Sequence, residues 1–200
     1  MQQDIVNDNQ EEAQEWKWEQ IKDIIESGDL ALLKRSRQMT EKYHEHKKRT
    51  AGLDMNQYVL QKLGWSPNGP QYEDPAAKAF SASTLYAVRA NDFPYNFEPG
   101  VVHLVLWSKI ALPVHSPDKA VRSAACARIN AFLQAQPLLR SLVTSGHVAW
   151  FVNYPELQSV ARIFHDHVLL FFPRECYSAE QVKITIDGIL SHGFEPLALR

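Results

Sequence analysis

Apolar residues near the start of the chain follow the periodicity of an amphipathic helix. Over residues 15–26 they recur at intervals close to 3.6 residues, at Trp16, Ile21, Ile24 and Ile25. Ser27-Gly28-Asp29 breaks this helix and offers a cap for the next one. We therefore predict further helices over residues 30–49 and 55–63.

Polar and loop-forming segments divide the chain into three parts. Residues 1–14 are polar and acidic, which predicts a disordered tail. Residues 64–75 are rich in Pro, Gly and Asn, which predicts a loop and the best candidate domain boundary. We expect an N-terminal helical arm over residues 15–75 and a second unit over residues 76–200.

The second unit has short β-rich runs placed around helices. Strands are predicted over residues 101–107, 147–153 and 164–172, where β-branched and aromatic residues are bounded by turn formers. Helical patterns cover residues 116–135 and 178–191, the latter opened by a Ser-x-x-Gln capping box. Helices followed by strands around one long helix predict an α+β fold with an antiparallel sheet.

Composition and charge exclude several classes of function. The chain is 45% hydrophobic with a formal net charge of -2, so no nucleic-acid partner is expected. Its longest apolar runs, residues 101–107 and 168–172, are too short to span a bilayer, and the polar start cannot be the core of a signal peptide. Cys126 and Cys176 are far apart, as in proteins of a reducing compartment. We predict a cytoplasmic protein that can also have access to the nucleus.

Two histidines on the last predicted strand are the leading candidates for chemistry. Alternate side chains of a strand share a face, so His165, His167 and Leu169 point the same way. Such a pair can be structural, can ligate a metal, or can supply a nucleophile and a group that orients it. A metal would need a third ligand, such as His103 or Glu175. A cupin-like metal site would also have an acidic residue three or four positions after the histidine pair, where this chain has Leu170 and Phe171. No metal and no cofactor are predicted, and the metal content stays open.

The histidine pair is the last of several short motifs in a characteristic order. In chain order these are Asn91-Asp92-Phe93-Pro94, His103-Leu104-Val105-Leu106 with Lys109, Asn153, Gln158-Ser159-Val160 and His165-Asp166-His167-Val168. Over about residues 91–172 this order resembles the histidine-triad and galactose-1-phosphate uridylyltransferase superfamily. The resemblance implies a histidine-triad-like core in which a strand histidine attacks the α-phosphate of a nucleotide or nucleotide sugar.

The superfamily resemblance also assigns roles to residues. His167 becomes the preferred nucleophile and His165 orients the phosphate, although a longer spacing from Ser159 leaves His165 as the alternative nucleophile. Leu169 stands where the superfamily has His or Gln, which favours a non-catalytic binding or sensor protein as the second hypothesis. Phosphate or nucleotide binding falls to His103, Lys109, Asn153, Gln158, Ser159, Asn91, Asp92 and Arg162.

Several of these residues also have a purely structural interpretation. His103 can be a buried histidine with one hydrogen bond, and Lys109 a solvated residue at a strand end. Asn153 can cap a turn, and Arg162 can form a surface salt bridge. Trp107 is assigned to the core because it lies in an apolar strand.

A second resemblance extends over nearly the whole chain. It rests on the helix at Trp16 followed by Gly28-Asp29-Leu30 and Arg35, on Asn91 to Tyr95, on Val102 to Lys109, on Ala149 to Asn153 and on the histidine strand. These residues resemble the fungal N-acetylglucosamine-induced protein family. The resemblance implies a link to amino-sugar or nucleotide-sugar metabolism. The expected partner is a nucleotide or sugar-phosphate ligand. Docking of a partner on the arm and a homodimer stay open.

Overall fold

The computed structural model describes residues 13–66 and 75–198, without the side chains of residues 75 and 76. Residues 1–12 of the predicted tail and most of the predicted loop at 64–75 lie outside the described residues. Within those residues, no helix has both the length and the apolar character needed to cross a membrane.

The arm contains the predicted helices with one change. Helix α1 is Trp18–Ser27, α2 is Arg37–Arg49 and α3 is Met55–Leu63. The predicted helix over residues 30–49 is interrupted: a single 3-10 turn at Leu30–Leu32 precedes α2. The Ser36 hydroxyl accepts a hydrogen bond from the Met39 N–H and caps α2, so the local capping energy starts a new helix there.

A four-stranded antiparallel sheet forms the centre of the described residues, in the order β1-β2-β4-β3. The strands are β1 Tyr86–Ala90, β2 Val101–Ser108, β3 Val148–Phe151 and β4 Phe164–Phe171. Strand β1 was not predicted. It is only five residues long and includes two alanines, which have a low propensity for strands. Pairing with β2 therefore stabilises it.

The remaining helices flank the sheet. They are α4 Pro75–Lys78, α5 Lys119–Gln134, α6 Arg140–Thr144 and α7 Ala179–His192. Asp118 accepts two backbone N–H groups at the start of α5, and the predicted capping box of Ser178 and Gln181 opens α7. The predicted α+β class with an antiparallel sheet is confirmed.

The two faces of the sheet pack against different helices. On one face, Leu106 and Leu170 are fully buried in the main core with α5 and α7, together with Phe132 and Ile189. On the other face, α1 buries Trp18 and Ile21 against Phe151 and Leu169. Because α1 covers only this part of the second face, the neighbouring part is left for the cleft described below.

One charged residue lies within the main core. Asp166 is fully buried, and neither of its carboxylate oxygens has a hydrogen-bond partner among the described residues. Burial raises the pKa of this carboxyl well above its usual range, because a lone carboxylate is poorly solvated among apolar side chains. Asp166 is therefore protonated in the folded protein over a range of pH where it ionises in the unfolded chain.

This burial predicts a pH-dependent loss of stability that Asp166→Asn removes. The stability contribution of a group with a raised folded pKa is complete below its unfolded pKa, about 3.9, and is lost as pH rises. We expect urea unfolding to show Asp166→Asn gaining stability relative to the parent protein between about pH 4 and pH 7. The exposed Asp23→Asn on α1 is the matched control. An equal difference between Asp166→Asn and the parent at both pH values would contradict the prediction.

Candidate functional site

The pairing of the strands places the candidate residues on one face of the sheet. His165 on β4 lies opposite Trp107 on β2. His167, the next residue of β4 on this face, lies opposite Val105 on one side and Phe151 on the other. Arg89 on β1 lies opposite Val105, so a single strand, β2, separates Arg89 from His167. Neighbouring strands are about 4.8 Å apart.

His167 is held at both ring nitrogens. Its Nδ1 lies 2.9 Å from Nε2 of His103, and its Nε2 lies 3.0 Å from Nδ2 of Asn153. The Asn153 amide donates to His167 Nε2, and we therefore assign the His167 proton to Nδ1, from which it is donated to His103. Asn91 also places Nδ2 3.1 Å from His103 Nε2. His167 is thus the middle of a buried polar network.

The network keeps its histidines neutral. Burial, together with a smaller contribution from the nearby Arg35 guanidinium, lowers the pKa of His103 to about 3. Burial also lowers the pKa of His167 well below its usual range, with contributions from His103, His165 and Arg35. Both imidazoles are therefore hydrogen-bonding groups at neutral pH and carry no charge that would attract a phosphate.

His165 differs from His167 in having one free ring nitrogen. Its Nδ1 donates to the Ile163 carbonyl at 2.8 Å, and its ring packs on Trp107 with centroids 4.7 Å apart. No hydrogen bond joins Nε2 to any described residue. Burial lowers the pKa of His165 as well, so Nε2 carries a lone pair at neutral pH. A neutral imidazole oriented through Nδ1 can act as a nucleophile, a general base or a hydrogen-bond acceptor.

His165 and His167 lie at the floor of a cleft of about 1160 Å³ between the sheet and the arm. Helix α2 contributes Tyr43, His46 and Lys47 to the opposite wall, and α3 contributes Tyr58 and Lys62. The volume suits a ligand of the size of a nucleotide or larger. The cleft thus combines residues that are far apart in the sequence.

The cleft carries more positive than negative side chains. Arg35, Lys47, Lys62 and Arg89 line it, against Asp92 and Glu156. Lys62 and Asp92 form an ion pair at 3.3 Å. Among the described residues, the other three cations have no carboxylate partner within salt-bridge distance. An anionic ligand therefore fits this charge distribution.

Arg35 connects the arm to the wall of the cleft. Its Nε donates to the Phe93 carbonyl at 3.0 Å, and its guanidinium lies over the rings of Tyr43 at 4.3 Å and Tyr95 at 5.3 Å. The Tyr95 hydroxyl in turn accepts a hydrogen bond from Asn153 at 3.1 Å. A chain of contacts thus runs from the arm to the residue that orients His167.

The structure brings most of the predicted site residues together. Lining the cleft are Asn91, Asp92, Asn153, Gln158, Ser159, His165 and His167. His103 lies behind them as the partner of His167.

Besides His103, two predicted phosphate ligands, Arg162 and Lys109, do not line the cleft. Arg162 forms an exposed ion pair with Asp54 at 2.6 Å, the surface arrangement that the sequence left open. The Lys109 ammonium lies 5.1 Å from the centre of the Trp65 ring. Neither side chain is directed to the histidines by these contacts.

Several cleft residues were not identified from the sequence. Trp107 was assigned to the core, yet it is half-buried and lines the cleft. Arg89 belongs to the strand that was not predicted, although buried Tyr86 and Val88 alternate there with more exposed neighbours. That alternation was the sequence signal that could have identified strand β1. Lys47 and Lys62 lie on helices whose basic residues have no distinguishing pattern.

The histidines do not assemble a metal centre. In residues 13–66 and 75–198, no group of three or more His, Cys, Asp or Glu side chains is arranged to hold a metal ion. At this site a ring nitrogen of His103 and one of His167 point at each other, so these two nitrogens are not free to ligate a metal.

Comparisons with known proteins give the chain a family. A family model described as a protein of unknown function, DUF3605, matches residues 17–171, and the chain belongs to this family. It is 87% identical over 198 residues to the uncharacterized protein YPL067C of Saccharomyces cerevisiae, covering 99% of this chain and 100% of that protein. A crystal structure of HTC1 matches with a TM-score of 0.86 and 87% identity, covering 92% of this chain and 100% of the other.

A more distant relative is N-acetylglucosamine-induced protein 1 of Candida albicans. It is 33% identical over 175 residues, which are 76% of this chain and 67% of the relative. The predicted relation to the fungal N-acetylglucosamine-induced proteins is confirmed. The histidine-triad resemblance gains no support from these comparisons and stays a prediction.

The buried histidine network predicts a loss of stability in acid. A histidine with a depressed folded pKa contributes stability above its unfolded pKa, about 6.5, and that stability is lost as pH falls toward the folded pKa. His103→Gln should therefore reduce the slope of unfolding free energy against pH by up to about 1.4 kcal/mol per pH unit between roughly pH 6 and pH 4. Urea denaturation at several pH values measures this slope. The exposed His44→Gln serves as control, and an unchanged slope in His103→Gln would refute the prediction.

Proposed function

We propose that this DUF3605 protein binds a phosphorylated small molecule of the nucleotide or nucleotide-sugar class. Through His165 it transfers the phosphoryl group of this ligand to an acceptor or to water. The observation that carries the proposal is the free Nε2 of a neutral histidine at the floor of a cationic cleft. A cytoplasmic site of action, predicted from the cysteine content, belongs to the same proposal.

The reaction follows from the orientation of His165. Its Nε2 lone pair forms a bond to phosphorus while the bond between phosphorus and the leaving oxygen breaks. The leaving oxygen takes that electron pair and a proton from water. The Ile163 carbonyl, 2.8 Å from Nδ1, accepts the Nδ1–H and stabilises the positive ring that forms. Water or a second acceptor then cleaves the N–P bond and restores the neutral histidine.

His165 suits the role of nucleophile better than His167, the residue preferred by the superfamily resemblance. Both nitrogens of His167 are engaged, one with His103 and one with Asn153. An attack by His167 would first have to break one of these buried hydrogen bonds, at a cost of about 1–3 kcal/mol for the group left unpaired. The proposed role of His167 is to shape the cleft beside His165.

The ligand class rests on the walls of the cleft. Arg35 and Lys47 supply charge for a phosphate, and Tyr43, Tyr58 and Trp107 offer ring faces for a base or sugar. The relative in Candida albicans is named for induction by N-acetylglucosamine. We therefore include amino-sugar nucleotides and amino-sugar phosphates among the candidate ligands.

A binding or sensor protein without turnover is the second candidate. It is favoured by Leu169, which occupies the third position of the histidine strand and is fully buried under Trp18 and Ile21 of α1. The helix therefore fills the place where a further phosphate-binding side chain would stand. Under this proposal His165 accepts a hydrogen bond from the ligand and forms no covalent bond.

His165→Ala separates the two candidates. Incubation with nucleotides, sugar phosphates and nucleotide sugars, followed by ³¹P NMR, should show a phosphoryl reaction that falls about a hundredfold or more in the variant. Acid-labile phosphate on the parent protein, absent from His165→Ala, should accompany it. The matched control is His44→Ala, which removes an exposed histidine on α2.

The contrary outcomes are distinct. If ligands raise the melting temperature of both the parent and His165→Ala but no turnover occurs, the protein is a binder and the enzyme proposal is wrong. If no member of the panel stabilises the parent protein or reacts with it, both candidates are wrong.

A further inference from the structure

A smaller cavity adjoins the cleft and shares a wall with it. Its volume is about 470 Å³, and Arg35, Tyr95 and Leu157 line both cavities. The shared wall is therefore made of one cation, one aromatic ring and one aliphatic side chain. Leu157 is 39% exposed, so an apolar group on a ligand that crosses the wall would find a surface to cover.

Arg35 has hydrogen-bonding capacity left at this wall. Its Nε is used by the Phe93 carbonyl, and its ring contacts with Tyr43 and Tyr95 fix the plane of the guanidinium. Within the described residues, no hydrogen bond or ion pair engages its two terminal nitrogens. A guanidinium fixed in this way can donate two parallel hydrogen bonds to the oxygens of a phosphate.

The smaller cavity has its own chemical character. Leu30 and Leu33 give it an apolar floor, Lys34 adds a positive charge, and the Thr40 side chain offers a hydroxyl. Arg37 is held by Glu41 at 3.2 Å, whereas Lys34 and Arg35 have no carboxylate partner among the described residues. A sugar or base with one apolar face and several polar edges fits such a lining.

We propose that the two cavities form one bipartite site for a ligand whose two halves are joined by a phosphodiester or diphosphate, with Arg35 holding the linking phosphate. The inference rests on the proposed function and narrows it. The phosphorus nearest His165 lies in the larger cavity, and the half of the ligand beyond Arg35 lies in the smaller one. A mononucleotide or sugar monophosphate occupies the larger cavity alone.

Blocking the smaller cavity tests the proposal. Ala31 is an exposed residue of the 3-10 turn that lines this cavity but not the larger one, so Ala31→Trp places an indole at its mouth. Leu32→Trp is the matched control, because Leu32 is 48% exposed and lines neither cavity. Circular dichroism and melting temperature establish that both variants are folded.

Isothermal titration calorimetry then compares two-part probes with their halves. The two-part probes are UDP-N-acetylglucosamine, GDP-mannose and ADP-ribose; the halves are the nucleoside monophosphates and the sugar phosphates. We expect at least one two-part probe to bind the parent protein more tightly than either half. Ala31→Trp should weaken that probe roughly tenfold or more and leave its nucleotide half unchanged, while Leu32→Trp changes neither.

A second substitution tests the linking phosphate. Arg35→Lys keeps the charge but removes the planar pair of donors, and we expect it to weaken the two-part probe more than the halves. If every two-part probe binds no better than its halves, or if Ala31→Trp weakens both alike, the bipartite site is wrong. If the halves still bind and their binding depends on His165, the proposed function stands. If none of the probes binds the parent protein, both the bipartite site and the proposed function are wrong.

Discussion

The pairing of β2 with β4 is the constraint on which the site depends. These two central strands pair over eight residues, from Val101 opposite Phe171 to Ser108 opposite Phe164. Side chains alternate between faces, so a shift of one residue along β4 would exchange its two faces. The core would then receive His165 and His167, and Asp166 would enter the cleft. Burial of Val168 and Leu170 among the core residues therefore also fixes the position of the histidines.

Polar side chains of β4 lie on both faces of the sheet, and they differ in how their hydrogen-bonding groups are satisfied. His167 is satisfied by His103 and Asn153, so its burial costs little beyond desolvation. Asp166 has no such partner among the described residues and is kept neutral by proton uptake. His165 is satisfied at one nitrogen only. A half-satisfied and nearly buried group that opens to a cleft is where the protein has hydrogen-bonding capacity left for a ligand.

The sequence predicted the features that depend on local pattern. The periodicity of Ile21 and Ile24 identified α1, the Ser178 box identified α7, and alternation placed His165 and His167 on one face. It missed what depends on partners distant along the chain. Strand β1 is stabilised by pairing with β2, and the division of roles between the two histidines arises from Asn153, Asn91 and His103, which lie on other segments. Sequence spacing alone could not show which nitrogen would stay free.

The cations of the cleft explain why the arm and the sheet have to be considered together. The sheet face supplies neutral imidazoles, because burial against Trp107 and Phe151 disfavours their charged forms. Positive charge for an anion has to come from groups that stay hydrated until the ligand arrives. Lys47 on α2 and Arg89 on β1 meet that condition, since both are exposed in the cleft and, unlike Lys62, have no carboxylate partner among the described residues. A buried neutral acceptor beneath exposed cations attracts an anion by charge and orients it by hydrogen bonding. The arm contributes Arg35, Lys47 and Lys62, and the sheet contributes Arg89 and the imidazoles, so the complete set of groups is present only where the arm faces the sheet.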